Sequence, residues 1–247
     1  MTKTKIFGLC VLLITLTTSC VETKAKTEAT IAITTHKTTK ILKPKTTLNK
    51  EFNDYWYGGK AEITSYKLEQ ARYGEMRNGK AVLVFVTEDF LPDVQVKADN
   101  YNKNNIPVLK LNATKNFNTG IYPYSIMQST FYPVANNQHA VKISASVQEW
   151  CGHVYAQLNN RDNFEITAHS YFESEADQNV SIDKTWTENE LWTKLRIDPK
   201  SLPVGHISII PALEYTRLKH IDIKGYNAVA TLTNGYYKIN YPNLNRS

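Results

Sequence analysis

Alternation of apolar and polar residues with a period of two, repeated through the last two hundred residues, limits what this chain can fold into. From His139 to Val147 the odd positions are His139, Val141, Ile143, Ala145 and Val147, and the even ones are Ala140, Lys142, Ser144 and Ser146. Successive side chains of a strand point to opposite faces, so this pattern predicts a half-buried strand. Phe164, Ile166, Ala168 and Phe172 alternate with Glu165, Thr167 and His169 in the same way. Tyr226–Leu232 and Tyr237–Tyr241 flank Asn234-Gly235. That dipeptide supplies the two positive-φ residues of a type I′ turn and predicts a hairpin. Asn78-Gly79 predicts a second turn, between segments 63–75 and 81–87. The continuous apolar run Ala81–Val86 predicts a strand covered on both faces.

Further strands are expected at Val108–Thr114, Ile121–Phe131, Val154–Leu158 and Ile207–Ile210. One helix has clear signals. Thr187 and Glu190 have capping-box spacing, Leu191, Trp192 and Leu195 follow, and Asp198-Pro199 ends it. About ten strands against one or two short helices predict a mainly β fold, a single antiparallel curved sheet or barrel-like domain.

The N-terminus has a different character. Lys3 and Lys5 precede eleven nearly uncharged residues, Ile6–Leu16, which are too few to span a bilayer. Leu16-Thr17-Thr18-Ser19-Cys20 follows, and small residues before a cysteine resemble the lipobox of bacterial lipoproteins. Thr17 stands where Leu or Val is usual. The expectation is a signal peptide over 1–19 and lipidation of Cys20, whose thiol takes a diacylglycerol as a thioether. The membrane, through that lipid, is then the first expected partner, and the cell envelope, periplasmic or surface-facing, is the expected location. Residues 21–50 hold nine Thr, seven Lys and no aromatic residue. Such a segment has too little apolar surface to offset its ordering entropy, so 20–50 reads as a tether and 51–247 as one β-rich domain.

This division explains the net charge of +6. Residues 1–50 contain nine Lys and two acids, leaving 20 basic and 21 acidic residues beyond them. The β domain is therefore near neutral, and nucleic acid is not an expected partner. Removal of Cys10 with the signal and lipidation of Cys20 leave Cys151 as the one free thiol.

Candidate chemistry concentrates in Gln148–Tyr155. Cys151 and His153 are two apart, as on one strand face, and Glu149 shares that parity. Together they form a candidate nucleophile, base and orienting carboxylate for an envelope hydrolase or transferase. The competing reading is a small buried Cys beside a Gly152 that marks a bulge or a close approach. His139, His153 and His169 fall on three successive strands, but no metal-ligand spacing is present, so no metal or other cofactor is expected. Glu173, Glu175, Asp177, Glu188 and Glu190 read as solvated charges, the last two favourable at a helix start. The aromatic supply exceeds what a core needs. Trp56, Tyr122, Tyr124 and Trp150 are candidate contacts for an apolar or sugar ligand or an envelope protein.

Asp54–Tyr66, Ala81–Leu91, Asn116–Met127, Val147–Asn160 and Leu213–Leu218 together resemble a family of Bacteroidetes lipoproteins that often carry the label septum formation inhibitor Maf. Maf proteins are cytoplasmic nucleotide pyrophosphatases with an N-terminal Ser-x-Arg-Arg motif. This sequence has no Arg-Arg pair and no Arg before Arg72. The resemblance implies an exported lipoprotein and strands beyond Tyr241, as in a chain cut short, and it implies no established activity. A non-catalytic binding domain is the expected function, with a Cys151-based enzyme as the alternative and nucleotide hydrolysis a more distant one.

Overall fold

The computed structural model describes residues 48–135 and 138–247. The expected signal peptide, Cys20 and nearly all of the expected tether lie outside the described residues. Strands β1 (Glu62–Arg72), β2 (Glu75–Leu91), β3 (Val96–Lys97), β4 (Ile106–Thr119), β5 (Tyr122–Pro133), β6 (Lys142–Glu149), β7 (Gly152–Asn160), β8 (Phe164–Ser170) and β9 (Gln178–Ile182) form one antiparallel sheet. Its order is β1-β2-β4-β5-β6-β7-β8-β9, with β3 a short addition to β2. The expected mainly β, antiparallel architecture is thus present. A second sheet adds β10 (Trp186–Thr187), β11 (Gly205–Ile210), β12 (Tyr226–Thr233) and β13 (Tyr236–Asn240), in which β10 and β11 run parallel.

Three short helices complete the fold: α1 (Lys50–Trp56), α2 (Glu188–Ile197) and α3 (Leu213–Lys219). The three exceed the one or two short helices expected, and only α2 carries clear sequence signals. Helix α1 starts where Asn49 Oδ1 accepts from Phe52 N at 2.7 Å, and its Trp56 is buried against Phe85. Helix α2 has the expected capping box: Thr187 Oγ1 accepts from Glu190 N, and Glu190 Oε1 accepts from Thr187 N at 3.0 Å.

Period two governs the sheet as the sequence implies. Ile143, Ala145, Val147, Val154, Ala156, Leu158, Phe164, Ile166 and Ala168 are buried on one face, while residues such as Gln148, His153, Tyr155, Glu165 and His169 look outward. Ala145, Ala156 and Ala168 pair in a row across β6, β7 and β8. These small side chains give α3 room to approach, and its Leu213 packs into the same cluster. His139 precedes β6 rather than opening it. Its ring lies edge-on to Phe164 and Trp186.

The hairpin at Asn234-Gly235 is present, with φ of 30° and 87° and Thr233 opposite Tyr236. Asn78-Gly79 is not a turn. The chain reverses at Tyr73-Gly74, with φ of 54° and 77°, and Gly79 lies within β2 between Leu68 and Phe117. Gly79 serves close packing there: a Cβ would stand 2.2 Å from Asn116 O. The run Ala81–Val86 buries only Phe85 fully, because β2 is next to the edge strand.

Candidate functional site

The residues singled out around Cys151 are distributed by a tight hairpin. Trp150-Cys151 form a two-residue turn between Glu149 and Gly152, and Cys151 is exposed. His153 pairs with Gln148 on the outer face. Glu149 points inward, buried beside Arg217 Nη2 at 3.5 Å. The sheet therefore separates Glu149 from His153, and the three side chains do not converge as a triad. Gly152 marks a close approach, since a Cβ there would stand 2.4 Å from Cγ of Tyr171.

The histidines are equally dispersed: His139 Nδ1 contacts Glu190 at 3.1 Å, and His169 Nδ1 contacts Asp177 at 3.2 Å on the surface. Among the described residues no group of His, Cys, Asp and Glu is arranged to hold a metal. Of the aromatic candidates, Trp56 belongs to the core and Tyr124 is buried, its ring stacked on Phe117 at 4.8 Å. Burial and its hydrogen bond with Tyr73 push the Tyr124 hydroxyl up to about 12. Tyr122 and Trp150 are exposed, with ring centroids 4.9 Å apart.

The reading of Glu188 and Glu190 as solvated charges is corrected. Glu190 is fully buried and accepts from Ala140 N at 2.7 Å as well as from Thr187 N. It therefore joins α2 to the segment entering β6. Glu188 accepts both terminal nitrogens of Arg246 at 2.6 Å and the Tyr241 hydroxyl at 3.0 Å. With Ala212 N as a fourth donor at 3.4 Å, this carboxylate is held far more firmly than a solvated one. Glu175 likewise contacts His220 Nδ1 at 2.6 Å.

This Glu188–Arg246 pair lines an apolar groove of about 410 Å³. Helix α2 contributes Leu191, Trp192 and Leu195, the following turn Pro199 and Leu202, and the C-terminal hairpin Leu232, Tyr237 and Ile239. Leu191 is buried, but Trp192, Leu195 and Leu232 remain exposed in the groove. Leu191 and Leu195 are four apart and so share a face, which accounts for an apolar wall along α2. Tyr237 donates to Pro203 O at 2.7 Å, and burial pushes its hydroxyl up to about 12.

Arg246 also lines a polar cleft of about 520 Å³. It is lined by Arg72, Tyr73, Lys115, Lys219 and Arg246 together with Glu75, Glu214 and Tyr215. The Arg246 guanidinium stacks on the Tyr215 ring at 4.0 Å, and Arg72 lies 4.2 Å over Tyr73. Lys115 pairs with Glu214, whose other oxygen is buried without a hydrogen-bond partner. Glu188 neutralises Arg246 and Glu214 neutralises Lys115, so the positive balance of this cleft rests on Arg72 and Lys219. The two spaces share Arg246. In the sequence, Leu191, Trp192 and Leu195 stand out only as the residues that follow a helix start. Nothing local to Tyr215 or Arg246 signals that they meet. Comparison of the chain with protein-family models, with curated proteins and with solved structures finds no match.

Proposed function

We propose that this protein is a membrane-anchored cell-envelope lipoprotein whose β domain binds, without performing chemistry on it, an apolar ligand that carries an anionic end. The observation that carries the reading is the groove in which Trp192, Leu195 and Leu232 stay exposed beside the Glu188–Arg246 pair. Its volume lies in the range of small-ligand sites, and its wall is apolar with few polar groups. The positive cleft that Arg246 also lines favours the anionic end. The pattern from Lys3 to Cys20 supports export and anchoring.

The test is binding of N-phenyl-1-naphthylamine, whose emission rises in apolar surroundings. The native protein is expected to bind it and to release it to an added fatty acid. Leu195→Asp places a charge in the groove wall and is expected to weaken binding roughly tenfold. Binding of equal strength in native protein and variant rules the groove out as the site.

A further inference from the structure

The aromatic residues that the groove does not use collect elsewhere. Because the large sheet runs up and down in chain order, the β1–β2, β4–β5, β6–β7 and β8–β9 connections fall at one end. Each presents a large apolar or aromatic side chain: Tyr73 is 66% exposed, Ile121 75%, Trp150 61% and Tyr171 64%. Contacts join the tips into one surface. The Tyr73 and Tyr124 hydroxyls are 3.1 Å apart, the Tyr122 ring lies against Trp150, and the Tyr171 ring covers Gly152. Four adjacent exposed tips of this kind are more than scattered surface apolar residues.

We propose that this rim seats in the headgroup layer of a lipid bilayer, with Tyr73, Ile121, Trp150 and Tyr171 inserted. Tyr and Trp have an apolar body and a polar end, the combination that settles at a membrane–water interface. Protruding hairpin tips enter such a layer without exposing unpaired strand edges to it. The chain outside the described domain allows the orientation. The 27 residues between Cys20 and Leu48 span at most roughly 95 Å. The 11-residue β1 is only about 37 Å long. A connecting segment of that length forces neither end of the domain towards the lipid, so the tips decide which end faces it. The charges beside the tips are mixed, Arg72 and Arg77 next to Glu75 and His169 next to Asp177, so insertion rests on the apolar tips and not on attraction to anionic headgroups.

The inference rests on the anchored reading for its reach alone, and it is measured independently of groove binding. The full chain carrying Cys10→Ser and Cys20→Ser keeps one thiol, Cys151, at the centre of the rim. An environment-sensitive fluorophore on it is mixed with vesicles of phosphatidylcholine and phosphatidylethanolamine, some with brominated acyl chains. The emission is expected to shift blue and to be quenched by the brominated lipid, with little effect of added salt. A variant with Tyr73→Ser, Ile121→Ser and Tyr171→Ser is expected to float with the vesicles through its apolar N-terminal segment, yet to lose the quenching. Ile121→Ser alone, at a site too exposed to threaten the fold, is expected to weaken the seated state roughly tenfold. An unquenched label on the chain that keeps all four tip residues, floating or not, overturns the proposal. So does a blue shift that appears without vesicles, follows a dimer mass in sedimentation and disappears in the variant, because a second copy then occupies the rim.

Discussion

Replacing Glu190 by Ala tests the idea that a buried carboxylate, and not packing alone, holds α2 against the large sheet. The substitution removes the acceptor of two buried backbone donors, Ala140 N at 2.7 Å and Thr187 N at 3.0 Å, and the partner of His139. A buried donor left unpaired costs about 1–3 kcal/mol, so two of them set an expected loss of about 4 kcal/mol. For a domain of this size each kcal/mol lowers Tm by about 2–4 °C, giving a fall of about 12 °C. Glu190→Gln retains one carbonyl oxygen of similar reach and is expected to lose about half as much. Urea unfolding followed by tryptophan fluorescence reads the difference as a shifted midpoint at unchanged slope. A loss below about 1 kcal/mol for Glu190→Ala would show that the two donors find other acceptors, and the proposed role of Glu190 would be refuted.

Three further outcomes follow from the geometry. Tyr124 and Tyr237 are both raised from 10.0 to about 12. The unfolded chain therefore releases these protons first, and the stability they contribute is intact below pH 10 and lost between pH 10 and 12. Urea midpoints across that window are expected to fall, and to fall less in the Tyr124→Phe, Tyr237→Phe double variant. Gly79→Ala places a Cβ 2.2 Å from Asn116 O, a backbone atom that cannot swing aside, and is expected to cost about 1–3 kcal/mol in urea unfolding. Cys151 is exposed in its turn, so iodoacetamide is expected to modify the native protein as fast as the denatured one. Cys151→Ser is expected to change stability by less than about 0.5 kcal/mol.

The strands were legible because burial on one face writes itself into the sequence every second residue, as in Ile143, Ala145 and Val147. The α2 start was legible because a capping box is local: Thr187 and Glu190 meet whatever the rest of the chain does. Turns were read less evenly. Asn234-Gly235 and Asn78-Gly79 look alike, and only the second is threaded between two neighbouring strands that require a missing side chain. Tyr73-Gly74 made the actual turn, with a bulky residue in the left-handed region, which composition does not announce. Helices of seven residues, such as α1 and α3, offer too few positions for a period to emerge. The groove was hidden for another reason. Its wall joins α2 to a hairpin some forty residues later, and the pairing of Glu188 with Arg246 crosses 58 positions. The Glu149–His153 separation was also hidden, because two residues in the turn replace the regular strand on which their shared face depended.

The up-and-down order of the large sheet bears on how the chain acquires its structure. Nearly every strand from β1 to β9 is hydrogen-bonded to the one made just before it, so each pairing closes a short loop and carries a small entropic cost. A chain that is made in the N-to-C direction can thus extend the sheet strand by strand, with no wait for distant sequence. The parallel pairing of Trp186-Thr187 with Ile209-Ile210 is the exception. It must await synthesis of β11 and encloses α2 on closing, and the groove needs in addition the β12–β13 hairpin that forms its other wall.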